Sequence, residues 1–180
     1  IVYDEKTPRI LTTPAYSAYV KIAEGCDHRC AFCAIPLIRG RFRSRPMDDI
    51  EREVVRLVAA GAKEIVLVAQ DSTYYGKDIY GEPSLARLLQ ELVKIEKLEW
   101  LRVLYCYPKN FTDELITTIA KEPKICKYVD LPLQHAHNSI LKSMRRPDTQ
   151  EEVVTLIEKI RARIPGVAIR STFIVGFPGE

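Results

Sequence analysis

Two periods of hydrophobic and polar residues alternate along this chain of 180 residues. Short continuous apolar runs are typical of strands buried on both faces, and they occur at residues 16–23, 65–69, 101–105, 128–133 and 167–175. Between them, apolar residues spaced three and four apart predict helices over residues 48–60, 85–92, 112–122 and 149–164. Strands that alternate with helices in this way predict an α/β fold with a parallel sheet.

Capping residues mark the ends of these predicted helices. Ser84 and Thr112 are residue types that accept hydrogen bonds from the first turn of a helix. Thr149 and Glu152 have the spacing of a capping box. Gly61 stands where the first helix should stop, because glycine readily adopts the left-handed conformation that ends helices.

We favour a (β/α) barrel of the TIM type over a doubly wound sheet. No glycine-rich phosphate-binding turn follows the first strand, and the candidate polar residues all follow strand ends, as they do in barrels. The sequence stops directly after the fifth strand, so we expect a partial barrel that is incomplete at its C-terminal end. Residues 15–180 are then the core domain, and residues 1–14 are an irregular lead or linker from a missing N-terminal domain.

Composition narrows the class of protein. The chain is 47% hydrophobic and 28% charged, which is typical of a globular domain. Its 27 basic and 24 acidic side chains give a net charge of +3, too small to predict nucleic-acid binding by itself. Five cysteines argue against a secreted disulfide framework, and the apolar runs are too short to span a membrane. We therefore expect a cytoplasmic protein.

Three cysteines carry the clearest chemical signal. Cys26, Cys30 and Cys33 have C-x-x-x-C-x-x-C spacing, so their thiolates can hold three corners of a [4Fe–4S] cluster. A closed cluster takes four thiolates, and the other two cysteines, Cys106 and Cys126, lie far along the chain. The spacing therefore predicts a cluster with one iron open to a ligand that is not protein.

Other interpretations of these residues remain open. A zinc site would usually need a fourth Cys or His ligand, and His28 would crowd the loop if it reached the same ion. A non-enzymatic metal- or cluster-binding module is thus an alternative to an enzyme. The densest basic run, Arg39, Arg41, Arg43 and Arg45, fits a solvated loop. It equally fits a rim that contacts an acidic substrate, a neighbouring domain or an RNA phosphate chain.

The cysteine motif, with an aromatic residue before its third cysteine and a strand before it, resembles the radical S-adenosylmethionine (SAM) superfamily. The resemblance implies that the amino and carboxylate groups of SAM bind the open iron. It also implies that the reduced cluster splits SAM to release a 5′-deoxyadenosyl radical, and that the barrel mouth shields this radical from side reactions.

A longer match resembles the methylthiotransferases. It comprises Tyr19–Pro36, then Arg39-Gly40 and Arg43–Pro46. Within that family, Asp27-His28 and the segment Leu131–Ala136 are similar to the branch that modifies an aspartate of a small-subunit ribosomal protein. The alternative is the branch that modifies a tRNA adenosine. The family implies a second [4Fe–4S] cluster in an N-terminal domain and an electron donor such as flavodoxin or ferredoxin. It requires no membrane and no direct contact with nucleic acid.

The resemblance also suggests residues that contact SAM. Phe32 would lie near the adenine, Gln70 would follow the second strand near the amino group, and Gly176 would border the adenine. Gln134, beside His135, could face SAM or the substrate, or could cap a polar loop. Arg170 would pair with the SAM carboxylate or form a structural salt bridge, because a cation in an apolar strand needs a partner. Gln70 lacks the flanking glycines that the superfamily often has there.

Overall fold

The computed structural model describes residues 4, 7 and 10–180, so part of the expected lead over 1–14 lies outside the described residues. Seven strands are present in this part of the chain: β1 Ser17–Lys21, β2 Ala23–Glu24, β3 Arg43–Ser44, β4 Glu64–Val68, β5 Trp100–Val103, β6 Tyr128–Asp130 and β7 Ala168–Arg170. The α-helices are α1 Ile35–Arg39, α2 Met47–Ala59, α3 Lys77–Tyr80, α4 Leu85–Leu92, α5 Asp113–Lys121, α6 Asn138–Ser143 and α7 Gln150–Arg163.

Five of these strands run parallel and follow one another in chain order. β1 pairs with β4 and β4 with β5, while β6 pairs with β7. A parallel bridge between Leu101 and Ile125 and a 2.9 Å hydrogen bond from the Cys106 amide to the Asp130 carbonyl link the two groups. The order β1-β4-β5-β6-β7 is that of a partial (β/α) barrel, which confirms the predicted fold class.

The core lies between the strands and the helices that cover their outer face. Ala18 and Val20 of β1 are buried there, whereas Tyr19 between them is about half exposed on the other, concave face. The outer residues of β4 and β5 pack against the apolar stripes of the helices, namely Ile65, Leu67 and Leu101 against Ile50, Val54, Leu88, Leu89 and Ile116. The helices therefore cover one face of the sheet, and Tyr19 and its partner Val66 lie on the other.

Two of the three predicted caps are confirmed. The Thr112 hydroxyl accepts from the Leu115 amide at 3.2 Å, and Thr149 and Glu152 form both bonds of a capping box. The prediction for Ser84 is wrong, because its hydroxyl donates to the Glu82 carbonyl instead of accepting from the first turn. No described helix is long and apolar enough to cross a membrane.

The last strand is shorter than predicted. The apolar run over 167–175 predicts one strand, but only Ala168–Arg170 pairs with β6. Beyond Arg170 a single bridge joins Phe173 to Gln134, whose backbone has a φ of +75° and leaves the extended conformation. Apolar character alone could not predict this break, because it depends on the backbone of the neighbouring loop.

The basic run does not behave as one unit. Arg39 and Arg41 are exposed, but Arg45 is almost completely buried and lies 2.6 Å from Asp49 and 2.7 Å from Glu53. Its guanidinium also donates to the Lys21 carbonyl at 2.7 Å. Arg45 thus ties α2 to the end of β1, which differs from the solvated loop that the sequence suggested for the whole run.

Candidate functional site

The loops that follow four of the five parallel strands meet at one edge of the sheet. The cysteine segment follows β1 and β2, Ala69–Tyr75 follows β4, Leu104–Asn110 follows β5, and Leu131–His137 follows β6. The carboxyl ends of parallel strands are where barrels place their ligands. The side chains that these loops bring together therefore form the candidate site.

The cysteine segment is held by its backbone. Gly25 has a φ of +82°, and a Cβ at this position would lie 2.2 Å from the Arg41 carbonyl oxygen. The next amide, that of Cys26, donates to the Gly40 carbonyl at 3.1 Å. Only glycine fits this close approach, so the start of the cysteine loop is fixed against the turn before β3.

The three motif cysteines are free, partly buried thiols that line one cavity of about 410 Å³. The same cavity is lined by three of the residues that the sequence suggested as SAM contacts, Phe32, Gln70 and Gln134. Among the described residues, no three His, Cys, Asp or Glu side chains converge closely enough to hold a single metal ion. A [4Fe–4S] cluster requires a different arrangement, because each cysteine sulfur binds a separate iron.

Burial controls the protonation of these thiols. It raises the pKa of Cys26 to about 11. Burial also raises the pKa of Cys30, and the nearby Arg146 guanidinium opposes that rise. Both thiols therefore carry protons at neutral pH, and a metal that binds them must displace those protons.

A buried carboxylate connects the cysteine loop to two other loops. Asp71, after β4, is hydrogen-bonded through Oδ2 to His28 Nε2 at 2.8 Å and accepts from Asn110 Nδ2 at 3.0 Å. Its Oδ1 accepts from the Thr73 hydroxyl and from the Tyr74 amide. His28 is the middle one of the three residues between Cys26 and Cys30, so this carboxylate positions the middle of the cysteine loop.

The Tyr107 ring also packs against His28. Its ring stacks on the His28 ring with centroids 4.0 Å apart and planes 10° apart. The Arg146 guanidinium carbon lies 3.9 Å from the same ring centroid. Two groups this close cannot share one face, so Tyr107 lies between the imidazole and the guanidinium.

Arg146 is the site residue that the sequence analysis missed. It follows α6, is only 8% exposed, and lies 3.2 Å from the Asp148 carboxylate. Its Nε has no hydrogen-bond partner among the described residues, and neither has the buried Oε1 of Gln70. Both side chains line the cysteine cavity. The cavity therefore offers one unused donor on a cation and one unused acceptor, a pair that suits the carboxylate and the ammonium of an amino acid.

A second cavity of about 250 Å³ adjoins the first. The two share the lining residues Gln70, Tyr105, Tyr107, Gln134 and Arg146. Tyr105 and Gln134 both have positive φ angles, +59° and +75°, which are rare for residues other than glycine. Strained backbone of this kind is concentrated at functional sites, and here it borders both cavities.

Arg170 and Gly176 are not among the residues that line either cavity in the described part of the chain. Arg170 projects from β7, with its Nη1 3.4 Å from Oδ1 of Asp130. Gly176 has a φ of +75°, and its amide donates to the Glu180 carboxylate at 2.7 Å. Cys106 lines the second cavity, and burial raises the pKa of its thiol well above the usual range.

Comparison with known proteins defines the class to which this fold and site belong. The model of the Radical SAM superfamily matches residues 20–180. The chain belongs to that superfamily. Solved structures agree on the fold: TsrM from Kitasatospora setae, a radical SAM methyltransferase, has a TM-score of 0.72 at 21% identity, covering 92% of this chain and 32% of that protein. The cobalamin-dependent radical enzyme OxsB has a TM-score of 0.65 at 14% identity, covering 87% of this chain and 23% of that one.

Relatives with higher sequence identity share one name. The ribosomal protein uS12 methylthiotransferase RimO of Desulforamulus reducens is 60% identical over 179 residues, and that of Heliobacterium modesticaldum is 55% identical. The RimO of Desulfitobacterium hafniense is 52% identical over the same length. Each match covers 99% of this chain, but the chain spans only about two fifths of each relative, 40%, 39% and 40% in the same order.

Proposed function

We propose that this chain is the radical SAM core, over residues 15–180, of a methylthiotransferase that acts on ribosomal protein uS12. Cys26, Cys30 and Cys33 would hold a [4Fe–4S] cluster whose remaining iron binds SAM. When bound, the cluster supplies one electron that splits SAM and yields a 5′-deoxyadenosyl radical. The support is superfamily membership, the shared cavity of the three cysteines, and the identity to proteins named RimO.

One observation carries the assignment of SAM to this cavity. A buried acceptor, Gln70 Oε1, and a buried donor, Arg146 Nε, lack protein partners and line the same cavity as the cysteines. We assign the SAM ammonium to Gln70 and its carboxylate to Arg146, because an unpaired buried polar group is costly and a ligand of matching chemistry removes that cost. Phe32 and Gly176 are left for the adenosyl part, as the resemblance implies, and Gln134 is left to face SAM or the substrate.

The substrate proposed here is an aspartate of uS12, attacked at its β-carbon. The names of the relatives favour this protein over a tRNA adenosine, and they favour a transferase over a non-enzymatic cluster module. The second cavity, which shares five lining residues with the first, marks the side from which we expect the substrate to approach. A second [4Fe–4S] cluster in an N-terminal domain, a donor such as flavodoxin or ferredoxin, and a cytoplasmic location complete the proposal.

The test is electron paramagnetic resonance of the anaerobically reconstituted and reduced protein, with and without SAM. We expect a [4Fe–4S] signal that changes when SAM is added, together with formation of 5′-deoxyadenosine. A sample that binds zinc instead, or a cluster that does not respond to SAM, would refute the radical mechanism.

Two neighbouring arginines, Arg145 and Arg146, allow a direct test of how SAM is bound. Arg146→Met should raise the Kd for SAM by ~10–100-fold, because a charge-assisted hydrogen bond contributes roughly 1.5–3 kcal/mol. Arg145→Met is the matched control, since Arg145 is exposed and adjacent in sequence. Gln70→Leu should weaken SAM binding without removing a charge. Equal SAM affinity in all three variants would contradict the assignment.

A further inference from the structure

Three neighbouring strands bring Tyr105 and Arg170 to the same buried carboxylate. β6 and β7 pair in a register that sets Asp130 opposite Arg170, and Tyr105 follows β5 on the other side of β6. Asp130 is fully buried. Its Oδ2 accepts from the Tyr105 amide at 3.0 Å, and its Oδ1 lies 3.4 Å from Arg170 Nη1. Asp130 therefore anchors the backbone of Tyr105 and the side chain of Arg170.

The backbone at Tyr105 is strained in a way that displays its side chain. A φ of +59° is unusual for a bulky residue and costs roughly 1–3 kcal/mol. Two bonds to buried groups hold it there: its amide donates to Asp130, and its carbonyl accepts from the Ser72 amide at 2.8 Å. The side chain is 45% exposed and lines both cavities, so it does not serve the core.

Arg170 has donors to spare. Its side chain is 54% exposed, and the Asp130 oxygen at 3.4 Å is a long partner for a guanidinium with five N–H groups. Asp130 is the main cause that raises the pKa of Arg170, followed by the phenols of Tyr128 and, more weakly, Tyr105. Along β7 the neighbouring Ile169 packs against the core, so the Arg170 side chain lies on the opposite face of the sheet.

The two cations near the cavities have different surroundings. Arg146 is buried in the wall of the cysteine cavity, whereas Arg170 lies outside both cavities and is accessible. An aspartate that reacts at its β-carbon carries its carboxylate on that same carbon. Its recognition therefore requires a cation and a hydrogen-bond donor just beyond the position of the radical, on the open side.

We propose that Arg170 and Tyr105 form a carboxylate subsite that binds the side chain of the substrate aspartate and selects it against asparagine. Arg170 supplies the charge, and the Tyr105 hydroxyl donates a second hydrogen bond. Asp130 holds both in place, and its own oxygens are occupied by the Tyr105 amide and Arg170, so its charge is offset at the subsite. This inference rests on the function proposed above, and it moves Arg170 from SAM to the substrate.

The experiment uses the full-length, cluster-loaded enzyme with SAM bound and measures the Kd for two forms of uS12. One form has its target aspartate, and the other has asparagine at that position. Arg170→Gln should weaken binding of the aspartate form by ~10–100-fold and leave the asparagine form unchanged. Tyr105→Phe, which keeps the ring, should weaken the aspartate form by ~3–10-fold. Arg161→Gln is the control, because Arg161 is an exposed cation on α7.

Each other outcome has a definite meaning. Equal weakening of both uS12 forms by Arg170→Gln would overturn carboxylate recognition, and a raised Kd for SAM with unchanged uS12 binding would assign Arg170 to SAM instead. If Arg170→Gln does not fold, Arg170→Lys is the alternative variant. It keeps the positive charge but lacks the paired N–H donors of a guanidinium, so it should retain part of the preference for aspartate. A wild-type enzyme that cleaves SAM but binds neither form of uS12 would refute the proposed substrate itself, whatever the variants do.

Discussion

Asp71 accepts hydrogen bonds from residues on three segments although it is almost fully buried. His28 comes from the cysteine loop, Thr73 from the loop after β4, and Asn110 from the loop after β5. A buried carboxylate is stable only when it is well paired, and the partners of this one come from three different loops. It therefore holds the middle of the cysteine loop in place through His28.

Asp71→Asn should loosen that loop. The amide nitrogen would face donors that now point at a carboxylate oxygen, so at least one buried donor would lose its partner. The expected loss is ~1–3 kcal/mol of unfolding free energy, with less iron bound per chain after reconstitution. Urea denaturation and iron analysis measure the two effects. Asp48→Asn, on the exposed face of α2, is the control and should change neither. Full iron content in Asp71→Asn would show that the loop does not need this carboxylate.

At the level of single residues, the sequence predicted part of the candidate site. The spacing of the cysteines and the resemblance led to Phe32, Gln70 and Gln134, which do line the cavity of the three cysteines. Arg146 was missed, because it lies more than a hundred residues from the cysteines in a segment whose charges look like those of any surface loop. Its burial follows from the Tyr107 ring and Asp148, and those contacts exist only in the folded chain.

Among the elements, the long helices and the strands within apolar runs were predictable, and the short helices were not. Helices α2, α4, α5 and α7 have enough residues for a helical period to emerge, and the five parallel strands lie within continuous apolar runs. Helices α1, α3 and α6 have four to six residues, and the β2–β3 pair has two in each strand, so their hydrophobic patterns are too short to distinguish from loops. Tertiary contacts stabilise these short elements, and the cysteine loop lies among them.

Gly25 shows how the short β2–β3 pair controls the cysteine loop. Gly25→Ala would place a Cβ 2.2 Å from the Arg41 carbonyl oxygen and 2.7 Å from that of Gly40, both backbone atoms that cannot move aside cheaply. We expect a loss of at least ~2 kcal/mol of unfolding free energy and a sharp fall in iron content. Gly61→Ala is the matched control, because Gly61 has a φ of +109° but open space around it.

Comparing Gly25→Ala with Gly61→Ala separates the cost of a left-handed backbone conformation from the cost of a steric clash. Gly61→Ala should cost only the left-handed strain of about 1–2 kcal/mol and keep full iron content. Thermal unfolding and iron analysis of both variants measure the difference. Equal losses of iron in the two variants would mean that the close approach of the two turns does not position the cysteines.

For the whole molecule, the decisive question is whether the fold depends on a metal. The described chain has a continuous apolar core between five parallel strands and the helices outside them, and Cys26, Cys30 and Cys33 lie outside that core. A structural metal site contributes folding energy directly, whereas a metal at the carboxyl edge of a barrel serves chemistry. The position of the three thiols therefore predicts a fold that survives without its cluster.

Cys30→Ala tests this at the scale of the whole chain. We expect the variant to lose [4Fe–4S] assembly and SAM cleavage while its circular dichroism and its urea midpoint stay close to those of the cluster-free wild type. Cys126→Ala is the control, because Cys126 is a partly buried thiol outside the cavity lining and should keep both cluster and cleavage. Global unfolding of Cys30→Ala would instead indicate a structural metal site. Retention of an intact SAM-responsive cluster would remove Cys30 from the proposed set of cluster ligands.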